Sequence, residues 1–180
     1  MVRRIAVAMS GGVDSSVVAA LLKEQGYDVH GMMMRLWKDD IGVEFFQKSN
    51  DEAAETARDT AKKLGIPFDL IDLRDVFKNE IIKEFIEQYQ NGITPNPCFR
   101  CNQKIKWGIF LKIALERGAD ALATGLYARI IRQVDGKYHL YKGVDEIKDQ
   151  SYVLSGLNQG QLSNALLPLG GFSKSEVRKM

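Results

Sequence analysis

The chain has 180 residues and a mass of 20.2 kDa, which is typical of one domain or of one domain with the start of a second. Hydrophobic residues make up 45% and charged residues 27%, and this balance excludes whole-chain disorder. No apolar run approaches the roughly 18 residues of a membrane span, so we expect no membrane association. The two cysteines, Cys98 and Cys101, are too few for a disulfide scaffold, which favours a cytoplasmic protein.

Charge is distributed unevenly along the chain. Residues 36–97 hold 8 basic and 13 acidic side chains, whereas residues 98–148 hold 10 basic and 5 acidic ones. The basic stretch predicts an anionic partner for the second half. An unevenly charged, solvated face is an equally good interpretation of the same counts.

The spacing of apolar residues predicts alternating strands and helices. Strands are predicted over 4–9, 28–36, 67–73 and 120–124, and helices over 15–25, 49–64, 76–90 and 103–117. A capping box of Ser49 and Glu52 opens the second helix, and residues 91–102 form a loop. Repeated units of this kind predict an α/β fold with a mostly parallel sheet and helices on both faces.

The last third of the chain follows a different pattern. Residues 127–134 and 137–142 flank Asp135-Gly136, which predicts a hairpin with a two-residue turn. Short helices are predicted over 151–157 and 161–167. Ser173 and Glu176 predict a helix start close to the last residue, so we expect the chain to be a piece of a longer protein.

A glycine-rich loop, Ser10–Ser16 (SGGVDSS), lies between the first strand and the first helix. Glycines allow successive N–H groups to face an anion, and the helix N-terminus adds partial positive charge, so the loop predicts phosphate binding. It lacks the lysine of a GxxxxGK[ST] loop. Asp14 is expected to meet phosphate through Mg²⁺. A serine-glycine turn that only caps the helix is the alternative.

A second motif, Thr94–Asn102 (TPNPCFRCN), holds both cysteines between prolines and a predicted helix. We expect the helix N-terminus to lower the pKa of the Cys101 thiol. The Cys-x-x-Cys pair is compatible with a redox dithiol, half of a zinc site or part of an iron–sulfur site. His30 and His139 are isolated and do not complete a zinc site.

These motifs carry a family resemblance. SGGVDSS resembles the PP-loop of ATP pyrophosphatases. TPNPC-x-x-CN followed by Lys104–Gly108 (KIKWG), GMMMR at 31–35, TGLYAR at 124–129 and KDQSY at 148–152 together resemble the tRNA-specific 2-thiouridylases. The resemblance implies an adenine-nucleotide alpha-hydrolase-like domain over 1–145. Residues 146–180 would then begin a tRNA-binding central region.

The resemblance also implies an activity. ATP would adenylate O2 of the wobble uridine with release of pyrophosphate, and a sulfur nucleophile would then expel AMP. Cys101 would be the catalytic nucleophile, with Asp14 beside the phosphates. The implied nucleotide contacts are Ala8, Met9, Ser10, Gly11, Gly12, Val13, Asp14, Ser15, Ser16, Met34 and Gly125. The implied contacts to the target base and tRNA are Asn96, Pro97, Cys98, Lys148, Asp149 and Gln150.

The chain departs from the family pattern at Cys98, where many members have Asp, and at Leu126, which replaces a His. Cys98 with Cys101 resembles the subgroup that holds a [4Fe–4S] cluster through three cysteines, and we favour this over a persulfide route. A further cysteine would come from a missing C-terminal half, from a dimer or from a separate chain, and sulfur from a donor protein or sulfide. The alternatives are another adenylating PP-loop enzyme, a different nucleobase sulfurtransferase, or a non-catalytic nucleotide-binding fragment.

Overall fold

A five-stranded parallel sheet forms the centre of the molecule. The structure is a computed structural model that describes residues 3–36 and 44–180, and side chains over 3–36 and 51–180. The sheet consists of β1 (Arg4–Ala8), β2 (Asp28–Arg35), β3 (Phe68–Asp72), β4 (Ala121–Ala123) and β7 (Ala165–Leu166), in the order β3-β2-β1-β4-β7. A separate antiparallel pair joins β5 (Ala128–Arg132) to β6 (Tyr138–Lys142). The predicted α/β fold is confirmed.

Helices connect the strands. They are α1 (Val13–Glu24), α2 (Glu44–Leu64), α3 (Arg74–Phe77, Lys78–Ile82 and Lys83–Gln90 in succession), α4 (Pro97–Arg100, Cys101–Phe110 and Leu111–Glu116 in succession), α5 (Gln159–Ser163) and α6 (Lys174–Val177). The middle segments of α3 and α4 are π-helical, and Ser151–Leu154 and Pro168–Gly171 are 3₁₀ turns. Within the described residues, no helix is both long and apolar enough to cross a membrane.

Successive side chains of β1 point to opposite faces of the sheet, so both faces carry apolar side chains that helices cover. Ile5 and Val7 pack with Val18 of α1 on one face, and all three are fully buried. Ala6 packs with Phe110 of α4 on the other face, and both are fully buried. The two faces therefore form two apolar cores that fix the carboxyl ends of the strands between them.

Two predicted helix starts are wrong. α2 begins at Glu44, so Ser49 lies inside the helix and is not its N-cap. α4 begins at Pro97, six residues earlier than predicted, because the Asn96 side chain caps it by accepting a 3.0 Å hydrogen bond from the Phe99 N–H. Proline fits the first helical position because the N–H it lacks has no partner there.

The C-terminal third also differs from the prediction. The hairpin turn spans three residues, since the Gln133 N–H bonds the Lys137 carbonyl and Gly136 takes a φ of +82°. The predicted helix over 161–167 is divided: α5 ends at Ser163, and Ala165–Leu166 form β7 beside β4. Pairing with β4 outweighs the local helical pattern there. The capping box of Ser173 and Glu176 at α6 is confirmed.

Candidate functional site

A pocket opens at the carboxyl ends of β1, β2 and β4. The chain leaves β1 towards β2 and later returns to β4 on the other side of β1, which creates the crevice where α/β proteins bind ligands. The sequence-predicted residues that line the pocket are Ala8, Met9, Ser10, Asp14, Ser15, Met34 and Gly125. It is also lined by Lys106, Thr124, Leu126 and Gln150.

The glycine loop is held in shape by its own serines. The Ser15 hydroxyl donates to the Gly12 carbonyl at 3.1 Å and accepts from the Ser10 N–H at 3.1 Å. Gly11 takes a φ of +74°, and a Cβ there would lie 2.5 Å from the carbonyl oxygen of Ala53 in α2. Because the serine oxygens are used internally, the N–H groups of the first turn of α1 are the donors left for an anion.

Four residues of the predicted nucleotide-binding set belong to this loop but do not line the pocket: Gly11, Gly12, Val13 and Ser16. Gly12 is the N-cap of α1, and Val13 is the first residue of that helix. The Ser16 hydroxyl donates to the Gly12 carbonyl at 3.0 Å. In the structure, Gly12, Val13 and Ser16 form the start of α1.

Asp14 has two donors in the structure. Its Oδ1 accepts a 2.9 Å hydrogen bond from the Tyr127 hydroxyl and forms an ion pair with the Lys174 ammonium. Burial, and then the hydrogen bond to Asp14, raise the pKa of the Tyr127 phenol, so it remains a protonated donor. The sequence alone does not reveal Lys174 as a site residue, because no local pattern links it to a residue 160 positions away.

The segment after β4 packs directly on the glycine loop. A Cβ at Gly125 would lie 2.9 Å from the Asp14 Cβ and 3.1 Å from the Ser15 nitrogen. The neighbouring Thr124 hydroxyl is buried and has no hydrogen-bond partner among the described residues. A buried polar atom without a partner costs free energy, so Thr124 favours a polar ligand in the pocket.

The two thiols lie on α4. Cys98 is exposed, and Cys101 is half-buried in the second turn. Burial raises the pKa of the Cys101 thiol, while the nearby Lys106 acts in the opposite direction. The expectation of a lowered pKa is therefore wrong, because burial disfavours the Cys101 thiolate more than the nearby Lys106 favours it. Among the described residues, no group of three His, Cys, Asp or Glu side chains is placed to hold a metal.

The cysteine-bearing helix is fixed to α3 by ion pairs. Arg100 Nε lies 2.7 Å from Glu84, and Lys104 Nζ lies 3.1 Å from Glu80 and 3.3 Å from Glu84. The hydrogen bond from Arg100 lowers the pKa of the Glu84 carboxyl. The Asn102 amide donates to the Cys98 carbonyl at 2.9 Å. The turn that carries both thiols is therefore held by ion pairs to α3 and by a hydrogen bond within α4.

The residues predicted to contact RNA have mixed surroundings. Lys148 is exposed. Asp149 accepts from the Gly143 N–H at 2.9 Å, and the Gln150 side chain accepts from the Tyr127 N–H at 3.2 Å. Gln150 also lines the pocket at the carboxyl ends of β1, β2 and β4.

Comparison with known proteins identifies the family. A family model described as the tRNA methyl transferase HUP domain matches residues 3–180. This chain belongs to the tRNA methyl transferase HUP domain family. Curated relatives confirm the predicted resemblance to the N-terminal half of the tRNA-specific 2-thiouridylases.

Two of those relatives are the tRNA-specific 2-thiouridylases MnmA of Carboxydothermus hydrogenoformans and Clostridioides difficile. Each is 48% identical, over 99% and 100% of this chain respectively and 50% of the relative. The HUP-domain chain thus spans about half the length of these relatives.

Solved structures share the fold. A predicted subunit of tRNA methyltransferase from Methanocaldococcus jannaschii matches with a TM-score of 0.58 and 21% identity, over 99% of this chain and 73% of that one. The U34-tRNA thiolase NcsA from Methanococcus maripaludis, solved with its [4Fe-4S] cluster, matches with a TM-score of 0.58 and 20% identity, over 98% of this chain and 54% of that one.

Proposed function

We propose that this chain is the nucleotide-binding and base-adenylating half of a tRNA uridine 2-sulfurtransferase. The observation that carries the proposal is that α4 contributes both to the pocket and to the thiol pair. The same helix bears Lys106, which lines the pocket, and Cys98 and Cys101. A helix shared by the pocket and the thiols supports nucleotide and sulfur chemistry on one substrate, and the relatives' name, tRNA-specific 2-thiouridylase, supports the sulfur chemistry.

The proposed reaction has two steps. O2 of the uridine forms a bond to the α-phosphorus of ATP while the bond from that phosphorus to the bridging oxygen breaks. Pyrophosphate leaves with the electron pair, and the N3 proton of the base goes to water. Hydrosulfide then forms a bond to C2, AMP leaves with the former O2 oxygen and its electron pair, and the proton carried by sulfur moves to N3. The N–H groups at the start of α1 stabilise the negative charge of the leaving pyrophosphate.

Asp14 is the proposed residue for Mg²⁺. A carboxylate is the ligand that this ion prefers, with phosphate oxygens and waters completing its shell. In the structure the same carboxylate oxygen is paired with Lys174, so the residues fit a cation at this position. When bound, Mg²⁺ would neutralise phosphate charge, and Asp14 would orient it.

The sulfur source is proposed to be external. Cys98 and Cys101 provide two of the three cysteines that the predicted [4Fe–4S] cluster needs, and the described residues offer no third ligand beside them. The part of the chain that the structure describes therefore does not fit a complete cluster. The proposed sulfur source is hydrosulfide, supplied as free sulfide or released by a donor protein, which would reach C2 beside Cys101, with tRNA as the substrate.

Phosphorus NMR tests the proposal. The reduced protein is incubated with Mg-ATP, with and without tRNA whose wobble uridine is unmodified. We expect AMP and pyrophosphate that depend on tRNA. Cys101→Ser should still release pyrophosphate, because adenylation needs no thiol, whereas Asp14→Asn should not. Formation of ADP and phosphate, or no turnover when both substrates are bound, would contradict adenylation by this chain.

The alternatives give different results in the same experiment. Another adenylating enzyme of this fold would release pyrophosphate with its own substrate but not with tRNA. A non-catalytic nucleotide-binding module would broaden the ATP resonances and leave ATP intact. The cysteine pair disfavours both, since neither activity requires thiols.

A further inference from the structure

Lys106 is a half-buried cation in the wall of the pocket. It lies in the π-helical segment Cys101–Phe110, and among the described residues that line the pocket it is the basic one. It has no ion pair with any carboxylate of the described residues. A cation taken partly out of water without a partner costs free energy, which an anionic ligand would offset.

The carboxylates around the site are already paired with other cations. Asp14 is bonded by Lys174, and Glu84 by Arg100 and Lys104. Burial lowers the pKa of the Lys106 ammonium, and Cys101 and Cys98 are the charged or chargeable groups that act against this shift. Burial therefore favours the neutral amine of Lys106 in the free protein, and an anion in the pocket would favour its ammonium form.

The π-helix sets the position of Lys106 relative to Cys101. In this geometry the N–H of one residue bonds the carbonyl five residues earlier, so residues five apart lie on adjacent turns. Lys106 is five residues after Cys101 and therefore lies one turn above it. In an α-helix, with 3.6 residues per turn, the two side chains would point in clearly different directions.

On the basis of the proposed function, we propose that Lys106 is a catalytic residue whose ammonium contacts the α-phosphoryl group of the nucleotide. The α-phosphoryl is the group that becomes joined to the base and is later displaced by sulfur. A cation one turn from the sulfur-bearing cysteine is placed for this phosphate, whereas Asp14 and the glycine loop are placed for the departing pyrophosphate. In both steps Lys106 would neutralise charge on the α-phosphoryl oxygens.

Calorimetric titration of three separate ligands tests the assignment. Adenosine, AMP and pyrophosphate are each titrated into the wild-type chain, Lys106→Met, Lys106→Arg and Lys104→Met. We expect Lys106→Met to weaken AMP binding by about tenfold or more, which corresponds to loss of one charge-assisted contact. Adenosine and pyrophosphate affinities should stay within about twofold. Lys106→Arg should retain most of the AMP affinity.

Lys104→Met is the matched control, because Lys104 lies on the same helix but pairs with Glu80 and Glu84. Its three affinities should equal those of the wild type. If Lys106→Met weakened the binding of all three ligands equally, Lys106 would have only a structural role. If it weakened only pyrophosphate binding, Lys106 would contact the leaving group instead of the α-phosphoryl group. Unchanged AMP binding would also overturn the inference. A wild-type chain that binds none of the ligands would contradict the proposed function itself.

Discussion

At the scale of single residues, the site depends on close backbone approaches as much as on reactive groups. Gly125 follows β4 and lies against the Asp14 and Ser15 positions of the glycine loop. No side chain fits between these two segments, so the missing Cβ permits the contact. The loop carries the first-turn N–H donors, and the position of those donors therefore depends on a residue more than a hundred positions later in the chain.

Gly125→Ala should separate the two segments. The added Cβ would lie 2.9 Å from the Asp14 Cβ and 3.0 Å from the Asp14 carbonyl carbon. We expect the free energy of unfolding to fall by about 1–3 kcal/mol, as for other overpacked positions. Because the N–H donors move with the loop, Mg-ATP affinity should fall about tenfold, measured by calorimetry.

Gly171→Ala is the control, since a Cβ there meets no atom within 4 Å. It should leave both unfolding and nucleotide affinity unchanged. If Gly125→Ala bound Mg-ATP as tightly as Gly171→Ala, the close approach would have no role in shaping the loop.

At the scale of elements, the strands are predictable from runs of buried apolar residues, whereas the helix starts are difficult to predict because they depend on capping side chains. β1 is a short apolar run whose neighbours are also buried, and its predicted and observed bounds differ by one residue. The start of α4 depends on one side-chain hydrogen bond at Asn96. Asn at the N-cap followed by Pro at the first helical position favours a helix start at Pro97, which includes both cysteines in the helix.

Other parts of the site could not be found from local sequence. β7 has two residues and exists because the open edge of β4 accepts it. The π-helical turns that bring Lys106 above Cys101 have no reliable sequence signature. Lys174 reaches Asp14 only through tertiary packing. Sequence motifs identified the glycine loop and the thiols, but the cations that accompany them required the three-dimensional fold.

Asn96→Ala should loosen the first turn of α4. Loss of the cap is expected to lower the free energy of unfolding by about 1 kcal/mol, measured by urea denaturation. The frayed turn should also increase the rate at which iodoacetamide alkylates Cys98. Asn96→Ser keeps an oxygen for the Phe99 N–H and should behave like the wild type.

Asn158→Ala provides a second comparison. Asn158 caps α5 through the Gln161 N–H, so its loss should destabilise the protein by a similar amount without changing Cys98 alkylation. Equal alkylation rates in the Asn96 and Asn158 variants would show that the cap does not hold the thiol-bearing turn.

At the scale of the whole molecule, charge is divided between two parts of the chain. Residues 98–148 carry an excess of five basic groups and include the β5–β6 hairpin and exposed Lys148. Arg100 and Lys104 in this part are already paired with acidic residues of α3. Binding of an RNA backbone would therefore depend more on exposed cations near the β5–β6 hairpin, such as Lys148.

Lys148→Gln should reduce the salt dependence of RNA binding. For a cation that contacts phosphate, the slope of log affinity against log salt is expected to fall by roughly one. The measurement is a set of titrations of an anticodon stem-loop RNA at several salt concentrations. Lys62→Gln, at the exposed end of α2, should leave the slope unchanged. If both variants gave the same slope of log affinity against log salt, Lys148 would not contact RNA phosphate.

The Asp14–Lys174 ion pair has a consequence for protein synthesis. The two residues are 160 positions apart, and ribosomes add about 5–20 residues per second. For roughly ten to thirty seconds, a nascent chain would thus present its glycine loop without the lysine that pairs with it. The loop is translated 160 residues before the lysine that pairs with its aspartate. A growing chain would therefore bind nucleotide in its mature geometry only after α6 has emerged and docked.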